Sequence, residues 1–288
     1  MTTITPTAPT TVHLSATLTS PFHHGAGSAG NTSLLRTQDV LQPDGTVARV
    51  PFLSAASVRH ALRDALAWET ARIIGLEPGS LTKQAVDLLW AGGAVSSTGA
   101  RTDLEMMRRV EEHYPTLAML GYAAKSDIIT GTLRASDMIL ACRENAHRLN
   151  TDPDELRPAA HYRSEEFGTR HDQASSPAGQ YIRLAGEVET TQMIWDTQVL
   201  IPGAVLCGEV SLTPAATRAH IDALGAALHL WAPDGVVRLG AKTAQGYGTA
   251  TLSHQDNLAG WDTHYGLWAE HVADHADDIR SLLADLGE

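Results

Sequence analysis

The sequence predicts an α+β fold ordered strand, helix, strand, strand, helix, strand, with insertions after the first helix and between the middle strands. Three patterns predict it. Val12, Leu14, Ala16 and Leu18 alternate with His13, Ser15, Thr17 and Thr19, the period of a half-buried strand. Val58, Ala61, Leu62 and Ala65 recur at helical spacing, as do Ile221, Leu224, Leu228 and Trp231 farther on. Strand-like runs lie between and after these helices, at Asp127 to Cys142, Gln192 to Leu200, Val205 to Leu212, Val236 to Leu239 and Thr249 to Leu252. That order is the split βαβ plan of a ferredoxin-like or RRM-like core, which constrains shape and leaves activity open.

Taken in order, residues 1–11 form a polar, flexible arm ahead of the first strand. Phe22 to Leu66 then holds three devices. Gly25 to Gly30 (GAGSAG) reads as a loop whose backbone can approach a ligand, since Gly25, Gly27 and Gly30 lack a Cβ. Leu34 to Leu41 and Thr46 to Val50 read as a hairpin turned by Gln42-Pro43-Asp44-Gly45. Ser54 and Ser57 offer caps for a helix of about five turns that ends near Gly75. Arg59 and Arg63 lie one turn apart on it, so both guanidinium groups project from one face near the helix start, where the dipole favours anions.

Leu76 to Tyr122 reads as a helical insertion, with a break at Gly92-Gly93 and a capping box at Thr102 to Glu105. Arg101, Arg108 and Arg109 on it are expected on a solvated face. After Leu149 the chain turns polar, and residues 151–183 read as a long loop with aromatic and basic residues interleaved: Tyr162, Arg163, Phe167, Arg170, Tyr181 and Arg183. Rings and guanidinium planes of this kind can stack on unpaired bases. Thr213-Pro214 is expected to cap the second core helix. Gly240 to Gly248 forms a late glycine-rich loop, and Trp261 to Leu286 an amphipathic helix or helix pair, acidic outside.

Composition limits the function classes. The formal net charge is −12, of which −7 falls from His254 onward (eight acids, one base), leaving −5 on the preceding 253 residues. An acidic body can still carry a locally positive groove, but indiscriminate nucleic-acid binding is not expected of it. Cys142 and Cys207 are expected as free buried thiols, and no Cys pair stands at zinc-ligand spacing. No long apolar run spans a membrane and the first ten residues lack signal-peptide character, so a cytoplasmic protein is expected.

The motifs together are similar to the RAMP superfamily, and within it to the subunits that coat the guide RNA in class 1 CRISPR effector complexes. The resemblance rests on His24 to Asn31 after the first strand, on Pro51 to Arg63 (PFLSAASVRHALR), similar to the family's P-x-[ST]-S-[LV]-[KR]-G-x-[LI]-R, and on Gly240 to Gly248 with its Gly-Tyr-Gly ending. It covers Val12 to Leu252. His60 stands where that pattern has Gly, and Asn31 where target-cleaving members carry an aspartate. An amide neither holds a catalytic metal as a carboxylate does nor acts as a base. The resemblance therefore implies a non-cleaving scaffold of type I or type IV, with no catalytic residue, cofactor or metal.

The resemblance further implies a palm from residues 12–75, 123–150 and 184–253, a helical finger from 76–122, a long-loop or hairpin thumb from 151–183, and an acidic helical tail from 254–288. RNA contacts would come from His23, His24, Gly25, Gly27, Ser28, Gly30, Asn31 and Arg36, and from Ser57, Arg59, His60 and Arg63. Tyr162, Arg163, Phe167 and Arg170 on the thumb, with Lys242, Gly246 and Tyr247, would complete them. The partners implied are guide RNA, a target nucleic acid read by base pairing, other copies in a helical row, and other complex subunits. Two alternatives stay open. A guide-processing endoribonuclease of the same superfamily would use His23 or His24 as general acid or base. A dinucleotide-binding enzyme would use the G-x-G-x-x-G at Gly25 to Gly30, but that fingerprint needs a helix next and Asn31 to Leu41 is strand-like.

Overall fold

The structure, a computed structural model, describes residues 10–95, 103–170, 177, 180, 193–256, 258 and 260–287. Its first strand is β1 (Thr11–Leu18), followed by β2 (Gly25–Ala29), β3 (Thr32–Leu35), β4 (Thr37–Leu41) and β5 (Val47–Leu53). Helix α1 (Ala55–Ile73) follows, then the insertion with α2 (Lys83–Val86), a π-helical turn at Asp87–Ala91, α3 (Leu104–His113) and α4 (Pro115–Leu120). Short strands β6 (Tyr122–Ala124), β7 (Asp127–Ile129), β8 (Leu133–Ala135) and β9 (Met138–Leu140) lead to α5 (Ala146–Leu149). The remainder comprises β10 (Arg163–Arg170), β11 (Met193–Leu200), β12 (Val205–Leu212), α6 (Arg218–Trp231), β13 (Val236–Arg238), β14 (Thr249–Gln255), α7 (Trp261–Asp274) and α8 (Ala276–Leu286).

The main sheet runs β13-β14-β1-β12-β9-β5-β4, with β8 also on β12. Its four middle strands pair antiparallel, β14 with β1, β1 with β12 and β12 with β9. In chain order these are core strands four, one, three and two, the ferredoxin-like arrangement. Val12, Leu14, Ala16 and Leu18 of β1 are buried with Leu62 and Leu66 of α1 and Leu224 and Leu228 of α6 in one core.

Local chemistry sets the boundaries of α1. The Ser54 hydroxyl accepts the Ser57 amide, and the helix closes in a Schellman arrangement, with Gly75 at φ 62°, Gly75 N–H on Arg72 O and Leu76 N–H on Ala71 O. The Gln42–Thr46 turn closes the β4–β5 hairpin as its residues predict, with Gly45 at φ 86°.

Several elements depart from the expectation. Gly25 to Gly30 is an edge strand and turn, because β3 pairs with it and the register slips between Gly25 and Ser28. Residues 163–170 are the strand β10, paired along its length with β11, so of the expected loop or hairpin this stretch takes the hairpin form. Helix α6 starts after Thr217 and not at Thr213. Thr213 O accepts the Ala216 amide in a turn, and the His220 Nδ1 accepts the Thr217 amide at 3.3 Å. Helix α3 is capped by Asp103, whose carboxylate accepts the Met106 amide. Arg108 and Arg109 sit in ion pairs, with Glu105 and with Asp285 of α8; Arg101 lies outside the described residues. The acidic C-terminal helices are packed in, with Trp268, Val272, Ile279 and Leu282 fully buried. Cys142 and Cys207 are both free thiols, Cys207 only partly buried. No described helix is long and apolar enough to cross a membrane.

Candidate nucleic-acid interface

Two glycine-rich stretches more than two hundred residues apart in sequence are stitched together here. Ala241 N–H bonds His23 O at 2.8 Å, and Gly248 N–H bonds Pro21 O at 2.7 Å. Gly248 must be glycine: its φ is +74°, and a Cβ there would stand 1.9 Å from Leu239 O. The late loop is thereby held against the segment that leads into β2.

His23 and His24 are both buried at this seam. His23 Nδ1 lies 2.8 Å from Gln198 O on β11. His24 Nε2 accepts the Ser54 amide at 3.4 Å, so that nitrogen carries no proton. Burial, reinforced by the nearby Arg36 and His23, pushes the His24 pKa down to about 4. Neither ring is presented as a solvent-facing acid or base. Arg36 is exposed, anchored by its Nε–H on Gly25 O at 3.1 Å.

Beside this seam, a cleft of about 430 Å³ opens over the first turns of α1. Arg36, Arg238, His24, His60, Ser57 and Gly240 line it, and among the described residues no carboxylate does. On a chain of net charge −12 this is a local positive groove. The helix end contributes less than the sequence suggests. The Ser57 amide goes to Ser54 Oγ, and the Ala55 amide goes to the Asp137 carboxylate at 2.8 Å.

The arginine pair requires a correction. Arg59 and Arg63 do lie side by side, but the hydrogen bonds they make all go to backbone carbonyls. Arg59 Nη1 donates to Leu133 O at 2.7 Å and its Nη2 to Leu120 O, while Arg63 Nη2 donates to Gly121 O at 2.8 Å. Arg63 is only 8 % exposed. Both close the C-terminal end of α4, where helix carbonyls lack intrahelical partners. Burial lowers both pKa values, Arg63 to about 10. His60, one turn from Ala56, is exposed and faces the cleft.

The thumb candidates lie on a second sheet, β10-β11-β3-β2. Lys242, at φ 60°, donates to Thr197 Oγ1 at 2.6 Å and Ser33 Oγ at 3.3 Å, tying the late loop to β11 and β3. Tyr247 lies beneath the Lys242 ammonium, and burial together with the Glu166 carboxylate pushes its phenol up to about 12. Phe167 on β10 is 76 % exposed, and Ile194 on β11 is 52 % exposed, diagonal to it across the pair. The Trp195 indole covers Gly168, where a Cβ would meet it at 2.5 Å. Gly27 and Ser28 are exposed on β2, Gly30 and Asn31 are exposed on the turn after it, and Asn31 O accepts the Asp196 amide. Tyr162 packs partly on the core, Arg163 opens β10 and is exposed, Arg170 closes it, and Gly246 is exposed at φ 90°. Tyr181 and Arg183 lie outside the described residues.

The chain has the fold of a CRISPR complex component. It matches a chain of a solved structure named "Type IV-B CRISPR Complex" at a TM-score of 0.58 and 22 % identity, over 87 % of this chain and 92 % of that one. No protein-family model and no curated protein matches the sequence. The residues that sequence reasoning missed are Arg238, Ile194 and Trp195. Arg238 follows a buried Val237 on a three-residue strand, and so short an alternation does not stand out. Ile194 and Trp195 read as ordinary strand residues until β10 pairs with them and sets Ile194 on the same face as Phe167.

Proposed function

We propose that this chain is a non-catalytic guide-RNA-binding backbone subunit of a class 1 CRISPR effector complex, of type IV or type I. The observation that carries the reading is the cleft over α1, lined by Arg36 and Arg238 and, among the described residues, by no carboxylate, on an otherwise acidic protein. The likeness of fold to a chain of the type IV-B complex supports it. A phosphodiester of the guide lies in the cleft, the outer edge of β2 runs alongside it, and the exposed Phe167–Ile194 pair inserts between bases. Successive copies form a row, and the splayed bases pair with a target strand, so sequence is read by pairing and not by the protein. Asn31 in place of a carboxylate supports a scaffold that grips without cutting. The endoribonuclease alternative finds less support, because His23 and His24 are buried and bonded to backbone.

The test is single-stranded RNA binding across a salt series, by fluorescence anisotropy. Each phosphate contact removed flattens the log–log slope by about 0.7 for single strands, so Arg36→Ala with Arg238→Ala flattens it by about 1.4. Binding falls irrespective of RNA sequence, and the melting temperature is unchanged. An unaltered slope, or cleavage of the RNA by the wild-type chain, overturns the reading.

A further inference from the structure

A second cavity, of about 620 Å³, opens on the other side of the first turns of α1. Its floor holds Arg59, Arg63 and Arg134, and among the described residues no carboxylate lines it. Arg134, exposed on β8, donates to Gly131 O at 2.7 Å and Leu133 O at 3.0 Å. Three guanidinium groups thus converge on backbone carbonyls, which satisfy hydrogen bonds but neutralise no charge. Arg63, more than nine-tenths buried, keeps an Nη1 with no partner. Burial is the main cause of both lowered pKa values, and repulsion within the cluster adds to it, Arg134 acting on Arg59 and Arg59 on Arg63, with the Tyr114 phenol partly offsetting the last. Asp103 and Asp127 stand beyond Tyr122 and act on its phenol. Clustered charge of one sign, with Arg63 buried among it, is costly until a counter-charge arrives.

We infer that this cavity receives a carboxylate-bearing helix face from a second copy of the chain. Two features select that occupant. The rim beside the arginines is apolar, with Ile128 75 % exposed, so the partner has to offer an apolar side chain next to its acid. The outer stripe of α7 has that composition: Leu267 is 43 % exposed, one turn from Glu270 and two turns from Asp274, both exposed and without an ion-pair partner among the described residues. Cavity and stripe are different surfaces of one molecule. Their contact is therefore heterologous, and such contacts propagate as rings or open rows. The inference rests on the row-forming part of the reading above and names the surface that forms it. The guide strand is the competing occupant, because the two cavities share Ala56 and His60.

The experiment mixes two full-length variants, Ile128→Cys and Leu267→Cys, each in a Cys207→Ser background, on single-stranded RNA long enough for several copies. Mild oxidation is expected to give a disulfide-linked dimer only when both variants are present. Glu270→Arg with Asp274→Arg is expected to weaken association about tenfold, and Arg134→Glu in the partner to recover part of that loss. Rows that assemble by sedimentation without the disulfide overturn the surface and leave the proposed function standing. Failure to assemble on RNA at all overturns both. Photocrosslinking of 4-thiouridine RNA to the Ile128 rim assigns the cavity to the guide strand and overturns the inference.

Discussion

Replacing Arg63 by alanine separates a structural arginine from a phosphate ligand. The substitution removes the donor to Gly121 O at 2.8 Å and the longer one to Leu120 O. Leu120 O keeps Arg59, so one buried carbonyl is left bare, at a cost of about 1–3 kcal/mol. Loss of the packed stem adds about 1–2 kcal/mol. Relief of the buried charge and of its repulsion with Arg59 works the other way, which leaves a net loss of about 2–3 kcal/mol. At roughly 2–4 °C per kcal/mol for a chain of this size, thermal unfolding shifts down by about 4–12 °C. Arg63→Met, which keeps the stem and removes the charge, loses less. The assay pairs circular-dichroism melts with the RNA salt series, and the slope is expected to stay at the wild-type value in both variants. A variant with an unchanged melt and a slope flattened by about 0.7 refutes this reasoning, because it places the guanidinium on a phosphate.

Two further outcomes follow from the seam between the glycine-rich segments. His24 is held neutral in the folded state with a pKa of about 4 against an ordinary 6.5, so its contribution is complete above pH 6.5 and lost as pH falls toward 4. The loss is bounded by about 3 kcal/mol; His24→Gln is expected to flatten the fall in melting temperature between pH 7 and 4.5, and an unchanged profile rules the imidazole out as its source. Gly248→Ala is expected to lower stability by about 3 kcal/mol, from a left-handed φ and a clash with Leu239 O, and to weaken RNA binding as the late loop lifts. A variant that melts and binds as wild type shows that the loop has another way to sit.

Much of the fold is legible in the residues themselves. The Gln42 to Gly45 turn, the capped and Schellman-closed α1, and the burial of Val12, Leu14, Ala16 and Leu18 rest on signals acting over a few positions, and they appear where the sequence places them. The element order is sufficient for the ferredoxin-like core because few topologies accommodate a split βαβ repeat. The site was legible in part. The glycine-rich stretches and Arg36 were named from sequence. Their junction through His23, Ala241, Pro21 and Gly248 was not, because backbone pairing across more than two hundred residues leaves no local pattern.

What tertiary structure alone decided is the work of the charged side chains. Spacing places Arg59 and Arg63 on one helix face, and it says nothing of what that face meets. In the folded chain it meets the carbonyl end of α4, some sixty residues on, while Arg238 arrives beside Arg36 from the far end of the sequence. Periodicity reports which residues share a side. Whether that side is solvent, core or a ligand depends on distant segments brought against it, and a guanidinium, with five donors and a long apolar stem, is chemically suited to all three.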